Sequence, residues 1–167
     1  MILSVTEETL LTAATIHAES WQESHRSFCS EAFVKAHTPQ GQKALFQQEM
    51  QGGMALYMLV KEYPVGVVSV KEDLIENLYV LPAEQNKGYG TELLLFAMAQ
   101  CRGTPRLWIL DNNHRVLAFY RRHGFRLTGK RSPLSEQLSE LEMVFACSEP
   151  PVCPAPATIT GAAHKIG

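Results

Sequence analysis

The chain reads as a mixed α/β (α+β) domain, and three observations carry that reading. Short β-prone runs, such as Arg106-Leu107-Trp108-Ile109-Leu110, alternate with stretches whose apolar residues recur at helical spacing. One of these runs, Leu78-Tyr79-Val80-Leu81-Pro82, leads through a glycine-bearing loop straight into the helical pattern Glu92 to Met98. The length of 167 residues, 46% apolar and 19% charged, suits a single domain able to bury a core.

The elements follow in order. Ile2 to Val5 predicts a first strand. Thr6 is a plausible N-cap, with Glu7 and Glu8 in a first turn that favours negative charge, and Leu10, Leu11, Ala14 and Ile16 to Ala18 supply an apolar helical face. Glu19 to Gln51 is more polar and predicts two further helices broken near Thr38-Pro39. Ala55 to Lys61 and Val65 to Lys71 predict a hairpin joined through Glu62-Tyr63-Pro64, and Leu74 to Leu81 a strand entering the glycine loop. After the Trp108 strand, Val116, Phe119 and Tyr120 recur at helical spacing, with Gly124 as the stop. Phe125 to Arg131 and Glu140 to Ala146 predict a final antiparallel pair. Residues 1–146 are thus expected to form the domain. Residues 147–167 are a Pro-rich tail, either flexible or an arm that contacts a partner, because Pro150-Pro151 and Pro154-Ala155-Pro156 sustain neither a helix nor a central strand.

The loop Gln85-Asn86-Lys87-Gly88-Tyr89-Gly90-Thr91 has the clearest chemistry. Strand, glycine loop and helix together aim unpaired backbone N–H groups at one point, where the helix dipole adds partial positive charge; such a point holds phosphate or pyrophosphate. Side chains at Gly88 or Gly90 would block close approach or forbid the dihedrals, and Lys87 is a supplementary cation. The loop is neither G-x-x-x-x-G-K-[ST] nor G-x-G-x-x-G, since Thr91, Glu92 and Leu93 follow Gly90.

What remains, Gln85-x-x-Gly88-x-Gly90 after L-x-V-x-P, resembles the [RQ]-x-x-G-x-[GA] signature of the GNAT superfamily of acetyl-CoA-dependent N-acetyltransferases. A second stretch resembles that family's N-x-x-A-x-x-F-Y-x-x-x-G-F: Asn113, Phe119, Tyr120, Gly124 and Phe125 match, and Val116 stands where alanine is usual. The resemblance implies a central mixed, mostly antiparallel sheet flanked by helices, with strands splayed at the coenzyme A site. It implies acetyl-CoA as cosubstrate, no metal, and direct attack by a primary amine in a ternary complex. Its cofactor-binding positions here are Leu78, Tyr79, Val80, Gln85, Asn86, Lys87, Gly88, Tyr89, Gly90, Thr91, Asn113, Phe119 and Tyr120. Backbone amides near Tyr79 to Leu81 would face the pantetheine and thioester oxygen. A non-catalytic acyl-CoA-binding or sensing module with the same fold is the alternative.

Transfer from a thioester needs a neutral amine, a donor for the developing oxyanion and a proton for the leaving thiolate. Tyr120 occupies the family's acid position; the bland reading of Phe119-Tyr120 is an aromatic patch. Asn113 either positions the pantetheine arm or caps its helix. Glu76 is the candidate base, although strict alternation puts it on the face of Leu78 and Val80, with Asn77 and Tyr79 opposite. His25 is a second candidate, against an ordinary exposed helix histidine. Arg121, Arg122, Lys130 and Arg131 read as a solvated face, one of which could meet the 3′-phosphate.

Formal charge is −2, so no basic field points to nucleic acid or anionic membrane, and no apolar run approaches a membrane span. The start of the chain is unlike a signal peptide. Cys29, Cys101, Cys147 and Cys153 lack metal-ligand spacing and read as reduced thiols, so a cytoplasmic protein is expected. The resemblance implies a small-molecule or peptide amine as acceptor, its site shaped by the segment between the first strand and the hairpin, which holds Trp21, His25, Arg26 and Phe28, with Glu19, Glu23 and Glu31 nearby. A second copy of the chain is a candidate partner.

Overall fold

The computed structural model describes residues 1–146, which fall into two compact units, 1–101 and 102–146. The expected tail 147–167, with Cys147 and Cys153, lies outside the described residues. In the first unit the order is β1 (Ile2–Ser4), α1 (Leu10–His25), α2 (Glu31–Ala36), α3 (Pro39–Gln51), β2 (Ala55–Val60), β3 (Pro64–Lys71), β4 (Leu74–Val80), a 3-10 turn (Pro82–Glu84) and α4 (Tyr89–Gln100). The second unit holds β5 (Arg106–Leu110), α5 (His114–Arg122), β6 (Phe125–Pro133) and β7 (Ser139–Phe145).

The first helix begins later than Thr6. Its cap position is Thr9, whose hydroxyl accepts the Thr6 N–H at 2.9 Å and closes a turn, leaving Glu7 and Glu8 exposed ahead of the helix. The break at Thr38-Pro39 is where the sequence places it. Thr38 Oγ1 accepts the Gly41 N–H at 3.1 Å, and Pro39 occupies the first turn, where its missing N–H costs nothing.

In the first unit β1, β2, β3 and β4 pair antiparallel in chain order. One face of that sheet is covered by α1 and α3, with Leu10, Ala14 and Phe46 packing on Leu56, Val67 and Tyr79. The opposite face receives α4. Gly66 precedes Val67 and so points the other way; a Cβ there would lie 2.8 Å from Leu93 Cδ1 and 3.0 Å from the Tyr79 carbonyl oxygen, so only glycine admits this approach.

The β3–β4 ladder slips by one residue. Val67 faces Tyr79 while Ser69 faces Glu76, so two steps on β3 match three on β4, and Asn77 absorbs the extra residue at φ 51°. In the second unit β7 pairs antiparallel with both β5 and β6. There α5 ends at His123, with Gly124 at φ 90°. Among the described residues no helix is long and apolar enough to cross a membrane, and no group of three or more His, Cys, Asp or Glu could hold a metal ion.

Candidate functional site

The chain leaves β4, makes the 3-10 turn and enters α4 through Gly88, whose φ of 84° places it in the left-handed region. Among the described residues, nothing beyond the adjoining backbone lies within 4 Å of where its Cβ would be. Glycine is needed here for its conformation, and the space above it is open for a ligand. The first regular bond of α4 runs from the Glu92 N–H to the Gly88 carbonyl at 3.1 Å, which puts the amides ahead of Glu92 at the open N-terminal end of the helix. Asn86, at φ 62°, turns the loop on its way in.

Two loop side chains brace the loop. Gln85 Nε2 donates to the Val80 carbonyl at 3.2 Å, tying the loop back to the end of β4. Lys87 Nζ is held by Glu84 Oε2 at 2.8 Å, and Tyr63 donates to the same carboxylate. Lys87 and then Tyr63 hold the Glu84 carboxyl below its usual range, and Glu84 in turn raises Lys87. The cation expected to serve an anion is ion-paired within its own turn. Lys61 reaches Glu92 at 2.6 Å and lies 5.0 Å from the centre of the Tyr89 ring.

The slip at Asn77 corrects the alternation argument. Glu76 pairs with Ser69 and Tyr79 with Val67, two residues apart on β3, so Glu76 shares the α1/α3 face with Tyr79 and not the face of Leu78 and Val80. The Leu81 N–H donates to the Val65 carbonyl at 2.9 Å and is spent on the ladder. One residue back, Val80 opposes Gly66 in the intervening, non-hydrogen-bonded pair, so its N–H leaves β4 on the side away from β3.

On the α1/α3 face the structure adds residues that the sequence reading did not single out. Glu49 of α3 is half-buried, and burial, then the charge of Glu76, push its carboxyl up to about 7; its Oε2 is buried with no hydrogen-bond partner among the described residues. His17 is 4% exposed, with Nε2 at 3.1 Å from Asn77 Oδ1 and Nδ1 at 3.4 Å from His37 Nε2. Trp21 lies between His25 and His37, with ring centroids 3.9 and 4.0 Å away and both planes tilted by only 13°. A signal existed for two of these residues. Gln42, Phe46 and Glu49 form one helical stripe, as do Leu10, Ala14, His17 and Trp21, so a titratable group stands on each buried stripe. His25 is not the exposed helix histidine of its plainer reading. It is buried, stacked on Trp21, and its Nδ1 lies 2.8 Å from the Trp21 carbonyl.

In the second unit, Asn113 Oδ1 accepts the Val116 N–H at 3.2 Å and caps α5. Tyr120 is fully buried between Phe119 and Phe125, with ring centroids 5.3 and 5.6 Å away in edge-on contact. Its hydroxyl has no hydrogen-bond partner among the described residues, and burial raises its pKa, so the phenol stays protonated. Arg131 bonds Asp111 at 2.5 Å, and Lys130 approaches Glu142 at 4.0 Å, while Arg121 and Arg122 are exposed.

Residues 13–125 match the model of the acetyltransferase (GNAT) family. No curated protein matches the chain. Among solved structures, the apo form of YjaB from Escherichia coli is similar at TM-score 0.69 and 18% identity, covering 89% of this chain and 98% of that one. The GCN5-related N-acetyltransferase from Rhodopseudomonas palustris gives TM-score 0.68 at 23% identity, covering 86% and 93%. A PaiA N-acetyltransferase from Thermoplasma acidophilum, solved with coenzyme A, gives 0.64 at 20% identity, covering 85% and 96%. At these identities the likeness speaks to the fold.

Proposed function

This chain belongs to the GNAT acetyltransferase family, and on that premise we propose that it moves an acetyl group from acetyl-CoA to a primary amine by direct attack in a ternary complex. The observation that carries the reading is the β4–turn–α4 connection, in which a left-handed Gly88 opens a twelve-residue helix under open space. Its first-turn amides and the helix dipole suit the coenzyme A pyrophosphate, with Asn86, Tyr89, Gly90 and Thr91 lending backbone. Gln85 and Lys87 serve by holding the loop's shape.

The N–H of Val80, which leaves β4 on the side away from β3, supports a role as donor to the thioester oxygen while negative charge develops there. Leu78 and Tyr79 complete that stretch of strand. Glu76, on the α1/α3 face with Asn77 and Tyr79, receives the proton of the attacking amine. Beside it, burial and then the Glu76 charge push the Glu49 carboxyl up to about 7. Tyr120 is assigned the proton for the departing thiolate, because burial holds its phenol protonated and leaves the hydroxyl unpartnered in its own unit. Asn113 and Phe119 support that helix end.

The family match supports taking residues 1–146 as the acetyltransferase domain. A cytoplasmic setting suits the unpaired thiols of Cys29 and Cys101. The acceptor class remains a small-molecule or peptide amine. Calorimetry with acetyl-CoA, followed by thiol release with spermidine, an aminoglycoside and a peptide with a free N-terminus, tests the proposal. Binding that Gly88→Glu abolishes, together with thiol release dependent on one amine, is the expected result. Binding without release on any amine favours the non-catalytic acyl-CoA module, and no binding removes both readings.

A further inference from the structure

We propose that His17 is a positioning residue for transfer: its ring holds Asn77 at the β4 slip and thereby turns the Val80 amide away from β3. The inference rests on the reading above, in which that amide faces the thioester.

The register shows what the slip does. Below it, Val70 opposes Ile75 and Ser69 opposes Glu76; above it, Val67 opposes Tyr79 and Gly66 opposes Val80. Continuing the lower register without the extra residue would set Val65 against Val80. Val65 offers its carbonyl to β4, as its 2.9 Å bond from the Leu81 N–H shows. The Val80 N–H would then replace Leu81 as donor to Val65 and be spent inside the sheet. One inserted residue therefore decides which way this amide faces.

The inserted residue pays a conformational penalty that its side chain offsets. Asn77 sits at φ 51°, a region that asparagine tolerates better than most residues. Its Nδ2 donates to Ser69 Oγ at 3.0 Å, which anchors it to β3. Its Oδ1 must then accept, and the group presented is His17 Nε2 at 3.1 Å. In a neutral ring this bond puts the proton on Nε2 and leaves Nδ1 to accept from His37 Nε2 at 3.4 Å. The ring is held from its sides as well, edge-on to Tyr79 at 4.5 Å and Phe46 at 5.3 Å between centroids. A buried imidazole locked in one tautomer and one orientation is a rigid brace for the slip.

The test has a spectroscopic arm and a kinetic arm. Long-range imidazole NMR of ¹⁵N-labelled protein at pH 8 should show His17 as the Nε2–H tautomer; the Nδ1–H tautomer overturns the proposal. In thiol-release kinetics with the amine that serves best above, His17→Leu should lower kcat about tenfold or more while KM for acetyl-CoA moves less than about twofold. His17→Gln, which keeps a donor near the Nε2 position, should recover kcat to within about threefold of the parent. Asn77→Gly keeps the left-handed backbone without the bond to His17. It should lose kcat as His17→Leu does, with the double variant no worse than either single one. An unchanged kcat in His17→Leu, glutamine no better than leucine, or losses that add refutes the inference. Should His17→Leu fail to fold, Asn77→Gly and His17→Gln carry the kinetic arm. If the parent protein transfers to no amine, the functional reading fails first, and the tautomer still decides whether the brace exists.

Discussion

Replacing Glu49 with glutamine should stabilise the protein at alkaline pH and leave it nearly unchanged in acid. Burial, followed by the Glu76 charge, raises this carboxyl from 4.5 to about 7. A raised pKa means that the folded state holds the proton more tightly than the unfolded chain. Protonation therefore contributes stability that is fully present below about pH 4.5 and lost as pH rises through 7. A fully buried carboxyl moved that far would lose about 3 kcal/mol on ionising. Glu49 is only half-buried, and screening by water reduces the figure to roughly 1.5 kcal/mol. At two to four degrees per kcal/mol for a chain of this size, Glu49→Gln should raise Tm by roughly 3–6 °C at pH 8.5 relative to its effect at pH 4.5. Thermal unfolding of both proteins by circular dichroism at the two pH values measures this difference. A Tm difference that is flat across pH, or larger in acid, would refute the account. Glu76→Gln is the companion measurement: it removes the second cause and should shrink the pH dependence without abolishing it.

Other outcomes follow from the same packing. Gly66→Ala should cost about 1–3 kcal/mol in urea unfolding, because the new methyl meets Leu93 at 2.8 Å and a backbone oxygen at 3.0 Å; a neutral effect would mean that α4 moves away freely. Tyr120→Phe should lower turnover on the order of 10²-fold with acetyl-CoA affinity unchanged. Because its hydroxyl is buried without a partner, the same variant should be at least as stable as the parent. Undiminished turnover, or a fall in Tm, contradicts the assigned role.

Most elements were legible because local chemistry specifies them. Thr38-Pro39 breaks the helices where a cap hydroxyl and a missing N–H belong, and the Trp108 strand has the bounds its β-prone run implies. The glycine loop was legible because a left-handed cap and a close backbone approach leave few residue choices. The failures come from competition between groups. Thr6 and Thr9 both qualify as caps, and the hydrogen bond between them, invisible to propensity, starts the helix at the second. The face of Glu76 could not be read because alternation assumes an unbroken ladder. One asparagine at positive φ, held from another element, reverses it. Glu49 and His17 stand on buried stripes and signal themselves as anomalies, but their partners Glu76 and Asn77 are distant in sequence. Only tertiary packing brings them together.

The Lys87–Glu84 pair has a consequence for how the donor would be captured. With its ammonium already neutralised, this turn casts little long-range field, and amide dipoles act only within about the first turn of a helix. The loop itself would exert little electrostatic steering on an approaching anion, and its hold would come from fixed backbone groups at contact distance. Encounter at the loop should then be governed by diffusion and shape, and raising ionic strength should weaken its grip far less than it would a lysine-lined phosphate site.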